Sequence, residues 1–155
     1  MLGSEMLSRR SIAQISNMQS FLPYSSYTAS ALCLDYRRLG KQRVEAYQMM
    51  QCITGTSSGW RNHPAVKMWQ PYPHSLALYG SVVCQEWIKR GYKDTLLTKF
   101  QTYLSEHTDD VQPAWLGLES FHASHRSNLL RKDHEHYQAF GWAEPDTLPY
   151  VWPIL

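Results

Sequence analysis

Asp35-Tyr36-Arg37-Arg38-Leu39-Gly40-Lys41-Gln42-Arg43-Val44-Glu45 places four cations and two carboxylates inside an otherwise amphipathic pattern. Read as a helix, it sets Arg37, Lys41 and Glu45 at i, i+4 and i+8 on one face, with Leu39 and Val44 facing elsewhere. A cation, an amine and a carboxylate then share one line. The same helical period extends from this stretch in both directions. Upstream, Leu32, Tyr36 and Leu39 recur at helical spacing, and Ser25, Ser26 or Thr28 supplies an N-cap. Gly40 costs up to about 1 kcal/mol relative to Ala in a helix interior, which predicts a kink or break there. Downstream, Val44, Tyr47 and Met50 continue the apolar stripe until the Gly55–Gly59 stretch ends it.

Further along, Trp60-Arg61-Asn62-His63-Pro64 reads as a turn with Pro64 at the first position of a short helix through Trp69. From Pro73 to Arg90, Leu76, Tyr79, Val83 and Trp87 form an apolar face closed by Gly91. Asp94 or Thr95 caps another helix to about Ser105, and a loop covers Thr108–Pro113. Ser120 to about Lys132 is helical, with Phe121, His125, Leu129 and Leu130 on one side. After Asp133 the chain turns aromatic and Pro-rich, predicting an extended tail that wraps the helices. No alternating strand pattern is present. The fold expected is all-α, one compact domain over 18–155, with residues 1–17 an extension or an alternative start at Met18.

Composition agrees with a folded domain: of 155 residues, 43% are hydrophobic and 18% charged. The formal net charge is only +2, yet the cations cluster at 37–43, 61–67, 89–93 and 126–132, enough for a basic face. Cys33, Cys52 and Cys84 form no Cys-x-x-Cys pair, which points to a reducing, intracellular setting. No run approaches the ~18 apolar residues of a membrane span. A soluble monomer with no membrane association is expected.

Seven His invite a metal, but His122-x-x-His125 and His134-x-His136 have no complementary Cys or His pair, so no metal or other cofactor is expected. There is no Gly-x-Ser-x-Gly nucleophile motif and no Gly-rich phosphate loop. What remains is a set of cations interleaved with six Trp and ten Tyr. Arg37, Arg38, Lys41, Arg43, Arg61, Lys67, Arg126, Arg131 and Lys132 suit phosphates, and aromatic faces suit bases. His63 beside Pro64 and His125 on the apolar side of its helix read first as capping or packed side chains, with lining of the same cleft as their functional alternative.

Four blocks, Arg37–Glu45, Gly59–Trp69, Glu86–Tyr92 and Ser124–Lys132, together resemble a bacterial and phage family described as pyrimidine-dimer DNA glycosylase-like, related to phage endonuclease V-type repair enzymes. The resemblance runs from about Met18 to Pro153. It implies a compact all-α fold, no metal, double-stranded DNA carrying a damaged or modified base as partner, and base excision coupled to β-elimination at the abasic site. That chemistry needs an amine to attack the sugar C1′, a carboxylate to stabilise positive charge on the sugar, and cations that grip a distorted backbone. In such enzymes the amine is the α-amino group exposed by removal of the initiator Met, and the carboxylate is a Glu in a Tyr-Arg-Glu-Leu segment. Here the segment reads Tyr36-Arg37-Arg38-Leu39, and the bulky Gln19 follows Met18. Arg38 stands where that Glu is expected, and Arg37 is the site residue of the segment that carries over. Glu45 is therefore the expected carboxylate, with Asp35 second, and Lys41 the expected amine. The competing expectation is a relative that has kept the basic groove and binds DNA without catalysis.

Overall fold

Side-chain caps and prolines set the helix starts. The computed structural model describes residues 18–57, 59 and 61–153; the 1–17 segment lies outside them. Helix α1 (Tyr27–Cys33) begins where Ser26 Oγ accepts the Ala29 N–H at 3.1 Å. The backbone extends at Leu34, and the Asp35 carboxylate then accepts the Arg38 N–H at 3.4 Å to open α2 (Tyr36–Ile53). Pro64 leads α3 (Pro64–Trp69), capped by His63 Nδ1, which accepts the Ala65 N–H at 2.9 Å. Helix α4 (Pro73–Lys89) also starts on a proline and is closed by Gly91 at φ +97°, a backbone conformation that glycine adopts without strain.

Asp94 accepts the N–H groups of Leu96 and Leu97 at 3.0 and 2.7 Å, preparing α5 (Leu97–Glu106). Helix α6 (Glu119–Lys132) carries Glu119 in its first turn and Arg131 and Lys132 in its last, matching the helix dipole. The predicted helices near 64–69, 73–90, 95–105 and 120–132 are all present. Helix α4 is the centre, with α1, α2 and α5 packed against it. In the core, Trp69 stacks on Tyr79 at 5.7 Å and meets Trp115 edge-on at 4.9 Å.

Three local expectations are corrected. Helix α2 runs unbroken through Gly40, because the Trp87 indole of α4 lies against it; a Cβ there would sit 2.8 Å from Trp87 Cη2. The gap left by the missing side chain is filled by the indole, so close packing replaces the kink. Leu32, Tyr36 and Val44 are exposed at 59, 52 and 42%, and the buried stripe of α2 is Leu39, Gln42, Glu45, Ala46, Met49 and Met50. Two of its members are polar, which is why apolar periodicity selects the wrong phase. Finally, the tail after Asp133 is not extended from its start: α7 (His134–Tyr137), capped by Asp133, and a 3₁₀ turn (Gln138–Phe140) come first.

The polar members of α2 have a shared task. Residues 18–23 run through the interior with no helical or strand pairing of their own. Buried backbone groups need partners, and side chains of α2 and α6 supply them. Gln42 Nε2 donates to Gln19 O at 2.7 Å while its Oε1 accepts the Phe21 N–H at 2.5 Å. His125 Nδ1 accepts the Leu22 N–H at 3.0 Å, His122 Nδ1 donates to Leu22 O at 2.8 Å, and Arg126 donates to Pro23 O at 2.8 Å. Glu45 Oε2 accepts the Gln19 N–H at 2.7 Å.

Candidate active site

Glu45 is the point where this internal strap meets the surface. Its Oε2 is bound to the strap, and its Oε1 lies 3.5 Å from Lys41 Nζ, one turn back on α2. The carboxylate is buried at 6% exposure, whereas the Lys41 side chain is 52% exposed. Burial pushes the Glu45 carboxyl above its ordinary value, opposed by the Gln19 N–H and by the charges of Lys41 and Lys132. One turn earlier, the neutral Gln42 serves the strap equally well. A buried charge at a position where an amide would do the structural work marks a functional group.

The two residues that hold Glu45, Gln19 and Lys41, line a cleft of about 210 Å³ together with Phe21, Arg37, Arg38 and Lys132, and Glu45 lies behind them. An adjoining cleft of about 530 Å³ shares Arg37, Arg38 and Lys132 and continues past Tyr36, Arg90 and His136. Arg37 is exposed, its guanidinium 5.7 Å from the Tyr36 ring centroid. Arg38 makes a 3.3 Å ion pair with Asp35. Burial, then the neighbouring charges of Arg38, Lys41 and Arg131, lower the proton affinity of Lys132. Helix α2 thus supplies Arg37, Arg38, Lys41 and Glu45, and the end of α6 brings Lys132 across from them. Cations converging on an accessible groove, with a buried carboxylate bound to two of the lining residues, can hold a polyanion and stabilise positive charge forming beside them.

The other expected site residues go elsewhere. Arg43 makes a 2.5 Å ion pair with Asp94 and lies 5.1 Å from the Trp87 ring centroid, bracing α2 against the start of α5. His63 is buried as the α3 cap and meets Trp152 edge-on at 5.9 Å. His125 is fully buried and neutral: burial, reinforced by His122, pushes its imidazole down to about 3. Arg126 is buried, donating to Glu119, to Glu144 and to the strap. These four are interior or paired side chains rather than parts of the cleft. Arg61 and Lys67 are exposed but do not line it. Lys67 borders a separate, largely apolar groove of about 610 Å³ that includes Met68, Tyr72 and Trp115. Arg131 is exposed and donates to Asp146 O at 2.6 Å, tying α6 to the tail. Asp35, the second candidate carboxylate, is occupied as the α2 cap and by the Tyr137 hydroxyl.

Two contributors went unseen in the sequence, Gln19 as the lining residue that meets Glu45 and Gln42 as the strap's amide clamp. The signal that finds Gln42 is spacing: positions 39, 42, 46 and 49 follow the i, i+3, i+7 helical pattern once a polar residue is allowed on the buried side. Among the described residues no helix is long and apolar enough to cross a membrane, and no group of three or more His, Cys, Asp or Glu side chains is placed to hold a metal ion.

Residues 18–100, from the strap through most of α5's first turn, match the family described as Pyrimidine dimer DNA glycosylase. No curated protein and no solved structure matches the chain.

Proposed function

The chain belongs to the pyrimidine dimer DNA glycosylase family, and from that premise we propose that it excises a damaged pyrimidine, an ultraviolet dimer first among the candidates, at the cleft over Glu45. The observation that carries the assignment is the buried carboxylate held by Gln19 and Lys41, two residues that themselves line a cationic groove. Arg37 and Arg38 grip phosphates on either side of the lesion. The target nucleotide leaves the stack to bring C1′ to the carboxylate, since the glycosidic bond is out of reach inside a duplex. As the C1′–N1 bond breaks, its electron pair leaves with the pyrimidine and positive charge grows on the sugar. Glu45, desolvated and already oriented, stabilises that charge without reorganising. Lys41 keeps the carboxylate oriented from the solvent side. The protein acts as a monomer on double-stranded DNA, and strand cleavage follows when an amine of the cleft captures C1′ and β-elimination ensues.

The test is a labelled duplex with a single cyclobutane pyrimidine dimer, alongside abasic and undamaged duplexes; because the cyclobutane ring still tethers the excised pyrimidine to its neighbour, base release is scored after photoreversal of the ring, and strand cleavage is scored separately. Dimer-specific release is the expected result. Salt-sensitive binding without release from any modified pyrimidine would replace this proposal with a non-catalytic DNA-binding relative.

A further inference from the structure

The cleft holds two lysines, and they differ in what surrounds them. Lys41 Nζ lies 3.5 Å from the Glu45 carboxylate and is committed to that ion pair. Lys132 makes no ion pair or hydrogen bond among the described residues. It is exposed to an incoming substrate, lines both adjoining clefts, and stands across from Arg37, Arg38 and Lys41 at the end of α6. The charges around it are Arg38, Lys41 and Arg131, with Glu45 as the counterweight. An amine nucleophile needs a free lone pair, access to the sugar, and a carboxylate nearby that is not locked onto it.

Resting on the glycosylase assignment above, we infer that Lys132, rather than Lys41, is the amine that attacks C1′ and carries the covalent intermediate. The Nζ lone pair forms the bond to C1′ as the C1′–N1 bond breaks, and the departing pyrimidine takes a proton from Nζ. The C1′–O4′ bond then opens, O4′ takes a proton from solvent, and the nitrogen lone pair forms the iminium. Loss of a proton from C2′ expels the 3′ phosphate with the electrons of the C3′–O bond. Water hydrolyses the iminium and restores Nζ. Lys41 keeps Glu45 aligned throughout.

Arginine separates this role from phosphate binding, because it keeps the charge but forms no Schiff base. The full chain is incubated with a duplex containing one abasic site in the presence of sodium borohydride, and the reduced adduct is digested and located by mass spectrometry. The expected adduct lies on the peptide carrying Lys132, and Lys132→Arg loses trapping to background while its duplex affinity stays within about 3-fold of the parent. An adduct on Lys41, on another lysine or on the chain's amino terminus overturns the inference, as does undiminished trapping by Lys132→Arg. Mapping on the unmodified protein gives the answer even if the variant folds poorly. The two proposals fail separately. Dimer base release without any adduct removes Lys132 and leaves the glycosylase, whereas a Lys132 adduct on abasic DNA without release from dimers keeps Lys132 and removes the glycosylase.

Discussion

Replacing Glu45 by Gln isolates the charge of the site from its architecture. The amide oxygen still accepts the Gln19 N–H that Glu45 now accepts at 2.7 Å, so the strap keeps its partner. Removed are the negative charge and its 3.5 Å ion pair with Lys41. If the sugar cation forms about 4 Å from the carboxylate at an effective dielectric of about 20, the lost attraction is on the order of 4 kcal/mol. That is roughly a 1000-fold decrease in the rate of base release. Duplex affinity is expected to fall less than about 3-fold, since Glu45 touches no phosphate. The fold is expected to be as stable as the parent or more so at neutral pH, because burial disfavours the charged carboxylate. Single-turnover base release from a dimer-containing duplex, binding by fluorescence anisotropy and urea denaturation measure the three quantities. Base release within about 10-fold of the parent would refute the electrostatic role; equal losses in release and affinity would mean that Glu45 shapes the groove instead.

Arg38→Ala is expected to weaken binding to all duplexes alike and to reduce the slope of log affinity against log salt by about 1; an unchanged slope would remove Arg38 from the phosphate contacts. Arg126→Ala should leave that slope untouched yet cost about 2–4 kcal/mol of stability in urea, since it strips partners from Glu144 and from the strap's Pro23 carbonyl. Because the folded state holds His125 neutral with its ionisation lowered to about 3 from 6.5, the unfolded chain binds more protons between those values. Its contribution is complete above pH 6.5 and is lost progressively as pH falls, by about 1 kcal/mol per unit. Denaturation is best followed in Glu45→Gln, because Glu45, with its raised ionisation, favours the fold as pH falls; a flat profile from pH 7 to 5 would refute the account. Gly40→Ala should destabilise by about 1–3 kcal/mol despite the better helix propensity of Ala. The new Cβ meets Trp87, whose indole is held by the Lys93 carbonyl at 2.9 Å and by stacking on Tyr92 at 4.2 Å; a gain in melting temperature would show that the indole yields.

Sequence alone determined the helical class and most helix positions. Pro64, Pro73, Gly91 and Asp94 act on the few residues next to them, so their effect is the same in the chain as in the fold. It also selected Arg37, Lys41 and Glu45 as one unit, because i, i+4 geometry is fixed by the helix itself. Only the tertiary structure decided which of the candidate residues are buried, paired or left open to the cleft. The burial of residues 18–23 depends on partners a hundred or more positions away, His122, His125 and Arg126, so that the candidate DNA contacts His125 and Arg126 became backbone clamps. Arg43 and Asp94 found each other across 51 positions, and Lys132, at the end of a different helix, came to line one cleft with Lys41. Local propensity reads spacing along one helix; which charge is buried, paired or left free is settled by the other elements that close over it.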